Sequence, residues 1–207
     1  MPLVEKETSH DRLFGLWKIE ESEGWLQRQI QNPETVPANV MHPAKRLEYL
    51  AGRVLIMQLL HESGRIFQGM VKNEYGKPFL NNYQDELSMS HSLPYVAAII
   101  DRHKPVGIDI EQPKPKLLRI APRILHRHEL ADAGSDVTKH CVYWCAKEAM
   151  VKFDGKKGLS FSENLRVEPF ALQASGRLTG HVISSLSTVS VELYYRIHPD
   201  FVLVYTL

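Results

Sequence analysis

Residues 106–111, Val-Gly-Ile-Asp-Ile-Glu, restrict the possible folds more than any other stretch of this chain. Apolar side chains at 106, 108 and 110 alternate with Gly107, Asp109 and Glu111, a period of two that fits a strand with one face buried. Asp109 and Glu111 then leave the strand together from the other face. Two adjacent carboxylates repel each other, and oxygen ligands of this kind bind hard divalent cations such as magnesium, with phosphate oxygens and water completing the shell. A bound cation would relieve the repulsion.

A second stretch, Trp144 to Lys152, reads as a helix. Val142, Ala146, Ala149, Met150 and Phe153 recur at helical spacing and form an apolar stripe. Glu148 and Lys152 lie off that stripe and, four residues apart, are neighbours. The helix is expected to present a carboxylate and an ammonium together on its side away from the core. Taken singly, such a pair is an ordinary surface ion pair.

Jointly, the two segments resemble the 4'-phosphopantetheinyl transferase superfamily, whose pattern is a strand G-[IV]-D-[IV]-E followed by a helix W-x-x-K-E-A-x-x-K. Gly107, Asp109 and Glu111 in the strand, and Trp144, Lys147, Glu148, Ala149 and Lys152 in the helix, meet every fixed position. Further family-like elements occur in order: Tyr75-Gly76-Lys77-Pro78, Ser88-Met89-Ser90-His91-Ser92, and Gly155-Lys156-Lys157-Gly158-Leu159-Ser160. A helix carrying Lys45, Arg46 and Arg53 precedes them. The chain departs from the pattern in having both Lys156 and Lys157 between the last two glycines, and in filling with Cys145 and Ala146 a stretch where many members carry serine or threonine.

The resemblance implies an α+β fold of the larger, surfactin-synthetase-activating type, with two similar α/β subdomains in one chain related by a pseudo-two-fold and the active site in the cleft between them. It also implies an enzyme that moves 4'-phosphopantetheine from coenzyme A to a serine of an acyl or peptidyl carrier protein, dependent on magnesium and active as a monomer. Asp109, Glu111 and Glu148 are the expected metal ligands, and Glu148 and Lys152 the expected catalytic pair. Arg46, Arg53, Gly76, Lys77, Pro78, Ser90, His91, Asp109, Lys152 and Lys156 are the expected contacts to coenzyme A, with Arg46, Arg53 and His91 at its 3'-phosphate. A non-catalytic coenzyme A-binding regulator of the same fold is the alternative, and a magnesium-dependent pyrophosphatase a third reading.

Composition sets the outer limits. With 207 residues, 43% of them hydrophobic, the chain can bury an ample core. A formal net charge of +1 gives no general case for binding nucleic acid. The first residues lack the apolar core of a signal peptide, and the most apolar helical stretch, Val54 to Leu60, is interrupted by Gln58 and too short to span a bilayer. An intracellular, cytoplasmic protein without a membrane segment is expected. Cys141 and Cys145 are too few for a disulfide framework or a metal cage and read as reduced structural thiols. The His126-Arg127-His128 cluster lacks enough neighbouring ligands for zinc and reads as surface. P-loop, Rossmann and G-x-S-x-G elements do not occur.

Along the chain, Pro43 opens a helix expected to reach about His61, with Gly64 as a stop signal. Arg46 and Arg53, seven residues apart, share one of its faces. Tyr95 to Ile100 is an expected strand, and residues 101–105 are an expected turn, which gives an N-terminal half at 1–102 and a C-terminal half with the metal site at 103–207. A helix-rich part follows from Leu117. Arg119, Arg123 and Arg127 recur every four residues beside Ile120, Ile124 and Leu125, so a helix passing Pro122 would align them as a basic face for an acidic carrier. Val189, Val191, Leu193, Tyr195 and Ile197 alternate as a strand, and Phe201 to Tyr205 forms another.

Overall fold

The N-terminal part of the chain is built around a helix whose ends are written locally. Pro43 has no N–H to lose at the first helical position, and the His42 ring nitrogen accepts from Ala44 N at 3.2 Å. At the other end Ser63 N bonds back to Leu59 and Leu60 carbonyls, and Gly64 takes the left-handed φ of 73° that ends the run. In a computed structural model of the protein, which describes residues 3–30, 35–156 and 158–207, the chain divides into two compact units, Met1–Pro105 and Val106–Leu207.

The first unit contains β1 (Leu3–Thr8), β2 (Arg12–Lys18), α1 (Glu23–Gln29), α2 (Pro43–Glu62), β3 (Met70–Lys72), β4 (Pro78–Leu80), β5 (Glu86–Ser92) and β6 (Tyr95–Asp101). Its main sheet is antiparallel in the order β1-β2-β6-β5, and β3 and β4 form a separate hairpin. Leu50, Ala51, Val54, Leu55 and Leu59 of α2 share one core with Trp17, Val96, Ala98 and Ile100 of the sheet. Each fully buried Leu or Val there contributes roughly 1.5–3 kcal/mol. The strands β1 and β2 and the helix α1 carry no strong periodic signal. β2 is fixed by pairing with β6 from Arg12↔Asp101 to Lys18↔Tyr95.

The second unit contains β7 (Ile108–Glu111), α3 (Lys116–Ile124), α4 (Arg127–Ala133), α5 (Val137–Asp154), β8 (Leu165–Val167), β9 (Ser175–Ile183), β10 (Thr188–His198) and β11 (Phe201–Thr206). Its antiparallel sheet runs β7-β11-β10-β9-β8. α5 packs on this sheet through Val142, Ala146, Ala149 and Met150, which join Leu178, Leu193, Val202 and Val204 in a second core. Architecture is thus mixed α/β, with helices set against antiparallel sheets rather than alternating βαβ units.

Two expectations change. The basic run does not lie on one continuous helix: α3 passes Pro122 but ends at Ile124, Leu125 is extended, and Arg127 opens the separate helix α4. Arg119 and Arg123 therefore share α3, and Arg127 is not aligned with them. Beside them Leu125 is buried and Ile120 and Ile124 are packed against the core. The alternating strand β10 also begins outside the core, since Val189 is exposed and only Val191, Leu193 and Tyr195 are buried.

Candidate active site

Gly107 decides how the strand and the helix of the site meet. A Cβ at this position would lie 1.8 Å from the Ala149 carbonyl oxygen and 2.9 Å from Phe153 N, both backbone atoms of α5. Only a residue without a side chain lets α5 rest directly on the start of β7. The consequence is that Asp109 and Glu111 do not point away from the protein, as the alternation alone suggested. Asp109 faces α5 and is 6% exposed. Glu148 and Lys152 likewise belong to a partly covered side of α5, not to a solvated one.

Lys152 Nζ donates to Asp109 Oδ1 at 2.7 Å and to the Ile108 carbonyl at 2.8 Å. The ammonium is thereby fixed over the strand. Glu111 is held separately: its Oε1 accepts from Gln112 N at 2.9 Å, and Lys116 Nζ approaches Oε2 at 3.6 Å. Burial holds Glu148 above the ordinary carboxylate range, the charge of Asp109 adds to this, Lys152 opposes it, and Glu111 adds again. Below them the Cys145 thiol is pushed well up by burial, then by Cys141 and Asp109, so it stays protonated and inert.

These three carboxylates sense one another but are not gathered into a ready-made cage. Among the described residues no group of three or more His, Cys, Asp or Glu side chains is arranged to hold a metal ion. The donor set nevertheless fits magnesium. That ion usually keeps several waters and takes one or two carboxylates plus substrate phosphate oxygens, not an all-protein shell. Burial raises Glu148 most, and the repulsion from Asp109 and Glu111 that adds to the rise is what a cation would relieve.

The helix that carries this pair is anchored at both ends and in its middle. Asp136 caps it, its carboxylate accepting from Thr138 N at 2.8 Å and Lys139 N at 3.0 Å. Gly155 closes it at φ 68°. In the middle stands Lys147, the neighbour of Glu148, which is 0% exposed. Its ammonium pairs with Glu129 at 2.6 Å and donates to the carbonyls of Ile124, Phe161 and Leu165. Burial lowers its pKa while Glu129 opposes the shift. Glu129 also accepts from His126 N at 2.7 Å and Val167 N at 2.8 Å. The His126 cluster is thus a capping box at the head of α4, and the signal for it was the spacing of His126 and Glu129.

In the first unit the expected ligand-binding residues have distinct settings. Arg46 is clasped by Glu23, with Nη2 at 2.6 Å and Nε at 3.0 Å from Oε1, and it also donates to the Val40 carbonyl. Arg53 is buried, its guanidinium carbon 3.4 Å from the centroid of the Tyr49 ring. The two arginines therefore do not form one solvated face. Lys77 pairs with Glu86 of β5. Gly76, at φ 89°, and Pro78 belong to the turn and first residue of the β3–β4 hairpin, where Asn73 Oδ1 accepts from Tyr75 N and Lys77 N. Ser90 is buried and His91, the next residue on β5, is exposed, as the pleat requires. Lys156 is exposed just beyond α5, and Lys157 lies outside the described residues.

A sequence profile described as the 4'-phosphopantetheinyl transferase superfamily matches residues 105–204. The chain is similar to 4'-phosphopantetheinyl transferase Sfp of Bacillus subtilis (strain 168), at 30% identity over 73% of this chain and 75% of that protein. It is similar to 4'-phosphopantetheinyl transferase ffp of Bacillus subtilis at 32% identity, with the same coverage. A match to 4'-phosphopantetheinyl transferase gsp of Aneurinibacillus migulanus is 37% identical over 41% of this chain and 37% of that protein.

Proposed function

The chain belongs to the 4'-phosphopantetheinyl transferase superfamily, and from that premise we propose that Asp109, Glu111, Glu148 and Lys152 form the centre at which it transfers phosphopantetheine from coenzyme A to a carrier-protein serine. It is an enzyme of this class, and its reaction is the modification of carrier proteins. The observation that carries the assignment of the centre is the Lys152–Asp109 contact of 2.7 Å beside a Glu148 whose proton affinity is raised by burial and, beyond that, by the carboxylates of β7.

In the reaction the serine oxygen bonds to the β-phosphorus of coenzyme A, the bond from that phosphorus to the bridging oxygen breaks, and 3',5'-adenosine bisphosphate leaves with the bond's electrons. Glu148, a stronger proton acceptor than an ordinary glutamate, takes the serine proton. Lys152 holds Asp109 in place and sets a positive charge where the leaving oxygens gain negative charge. Asp109, Glu111 and Glu148 are the residues that would hold a magnesium ion, which when bound would supply further neutralisation of that charge.

The reading assigns Arg46, Arg53 and His91 to the 3'-phosphate of coenzyme A, and Gly76, Lys77, Pro78, Ser90 and Lys156 to the rest of that ligand. Arginine's planar donors suit a phosphate. Each unit carries one long helix against an antiparallel sheet, and that common plan supports reading the chain as two similar halves; the reading takes the enzyme to be a monomer. Among the described residues no helix is long and apolar enough to cross a membrane; the reading assigns the enzyme to the cytoplasm, where its carriers are expected. The test is to incubate the protein with coenzyme A, magnesium and a panel of unmodified acyl and peptidyl carriers and to weigh the carriers. A gain of phosphopantetheine on the carrier serine supports the reading. No gain on any carrier, with coenzyme A still bound, returns the chain to the non-catalytic alternative.

A further inference from the structure

Glu48 is a buried carboxylate in the middle of α2, 3% exposed, that no part of the reaction described above uses. Ionised carboxylates are almost never buried unless partnered, because desolvation costs several kcal/mol. Among the described residues two basic side chains approach it as ion-pair partners. Lys45 Nζ, one turn back on α2, lies 2.8 Å from Oε2, and His91 Nδ1, on β5, lies 3.2 Å from the same oxygen. Burial by itself would raise the Glu48 pKa, but His91 and Lys45 outweigh it and bring the pKa down to about 2, so the carboxylate is charged at neutral pH.

The contact is asymmetric in exposure. The Glu48 side chain is 5% exposed, whereas that of His91 is 39% exposed. A pair serving only the core would bury both partners; here the carboxylate is buried and the imidazole reaches out. With Nδ1 held against the carboxylate, Nε2 is the nitrogen left to face a ligand, the arrangement by which carboxylates fix the rings of histidines that bind metals. Packing keeps the helix and strand at the required separation. A Cβ on Gly52, one turn beyond Glu48, would lie 2.2 Å from Cε of Met89, two residues before His91.

We propose that Glu48 is the positioning residue for His91, holding Nδ1 so that Nε2 is presented to the 3'-phosphate of coenzyme A. This rests on the assignment of His91 to that phosphate under the proposed function. Glu48 touches neither the phosphate nor the reacting atoms and acts through the imidazole alone.

Three variants test it: Glu48→Gln, His91→Ala and the double variant, each checked for folding by circular dichroism and thermal melting. Glu48→Gln is close to isosteric and keeps an acceptor oxygen, so it preserves the packing if a larger truncation fails to fold. Loss of the charge should raise KM for coenzyme A by about tenfold, the scale of one charge-assisted hydrogen bond, with kcat and the carrier KM little changed. In the His91→Ala background the same substitution should add almost nothing. Fully additive effects, or a Glu48→Gln enzyme with the wild-type KM for coenzyme A, would overturn the proposal. A separate readout needs no turnover: nitrogen NMR of the His91 ring should show the proton on Nδ1, the nitrogen that faces the carboxylate, and Glu48→Ala should remove that preference. A ring unaffected by Glu48→Ala overturns the proposal as well. If His91→Ala leaves KM for coenzyme A unchanged, it is the phosphate assignment that fails, and the NMR result still decides whether Glu48 sets the ring.

Discussion

At the residue scale, Glu148 makes a prediction whose two parts oppose each other. Burial and the charge of Asp109 raise its folded pKa, Lys152 opposes, and Glu111 adds to the rise. The folded protein therefore binds this proton more tightly than the unfolded chain. The stability it contributes is complete below the ordinary glutamate pKa and is lost as the pH rises through the raised value. Above that raised value the charged Glu148 thus costs stability. Glu148→Gln should raise the melting temperature there while lowering turnover by about 10²-fold; a melting temperature lower than wild type throughout the alkaline range would contradict the site's electrostatics. Magnesium with coenzyme A should also raise the wild-type melting temperature more than that of the glutamine variant. Asp109→Ala, which leaves Lys152 with only the Ile108 carbonyl of its two contacts to β7, should weaken or abolish magnesium-dependent transfer with the fold retained. Full activity of this variant at limiting magnesium would remove Asp109 from the metal site.

At the element scale, the strand and helix of the site are joined by an absence of side chain. Gly107→Ala would drive a methyl group into the Ala149 carbonyl, a backbone atom that cannot step aside. The cost is expected at about 3 kcal/mol, the upper end for overpacking. The variant's melting temperature should fall and transfer should be lost with it, because β7 and α5 carry the carboxylates and the lysine between them. A Gly107→Ala protein with the wild-type melting curve would show that the contact yields easily. Both elements were legible in the sequence, since alternation marks β7 and the 142–153 stripe marks α5. Their relative placement was not, because a period of two assigns side chains to faces without saying which face another element will cover. The helix-covered face proved to be the charged one.

At the scale of the whole molecule, a net charge of +1 leaves any attraction for an acidic carrier to local surfaces. Arg119 and Arg123, both exposed on α3, form the basic pair that remains once Arg127 is assigned to α4. Reversing both charges should raise the carrier KM, more strongly at low salt, and leave the KM for coenzyme A alone; an unchanged carrier KM at low ionic strength would place docking elsewhere. The sequence by itself determined the family, the two carboxylates of β7, the helix with Glu148 and Lys152, the long helix from Pro43 and the last two strands. These rest on local periodicity, on caps and on ordered motifs, all readable within a few residues. Only the tertiary structure decided that Lys147 is a buried strut paired with Glu129, that Arg53 lies on Tyr49 within a buried side of α2, and that Glu48 meets His91 across 43 residues of chain. A charged residue in a helix reads the same in sequence whether water or a distant strand covers it. What sets its role is which partner packing brings to it, and that is a long-range property no local pattern encodes.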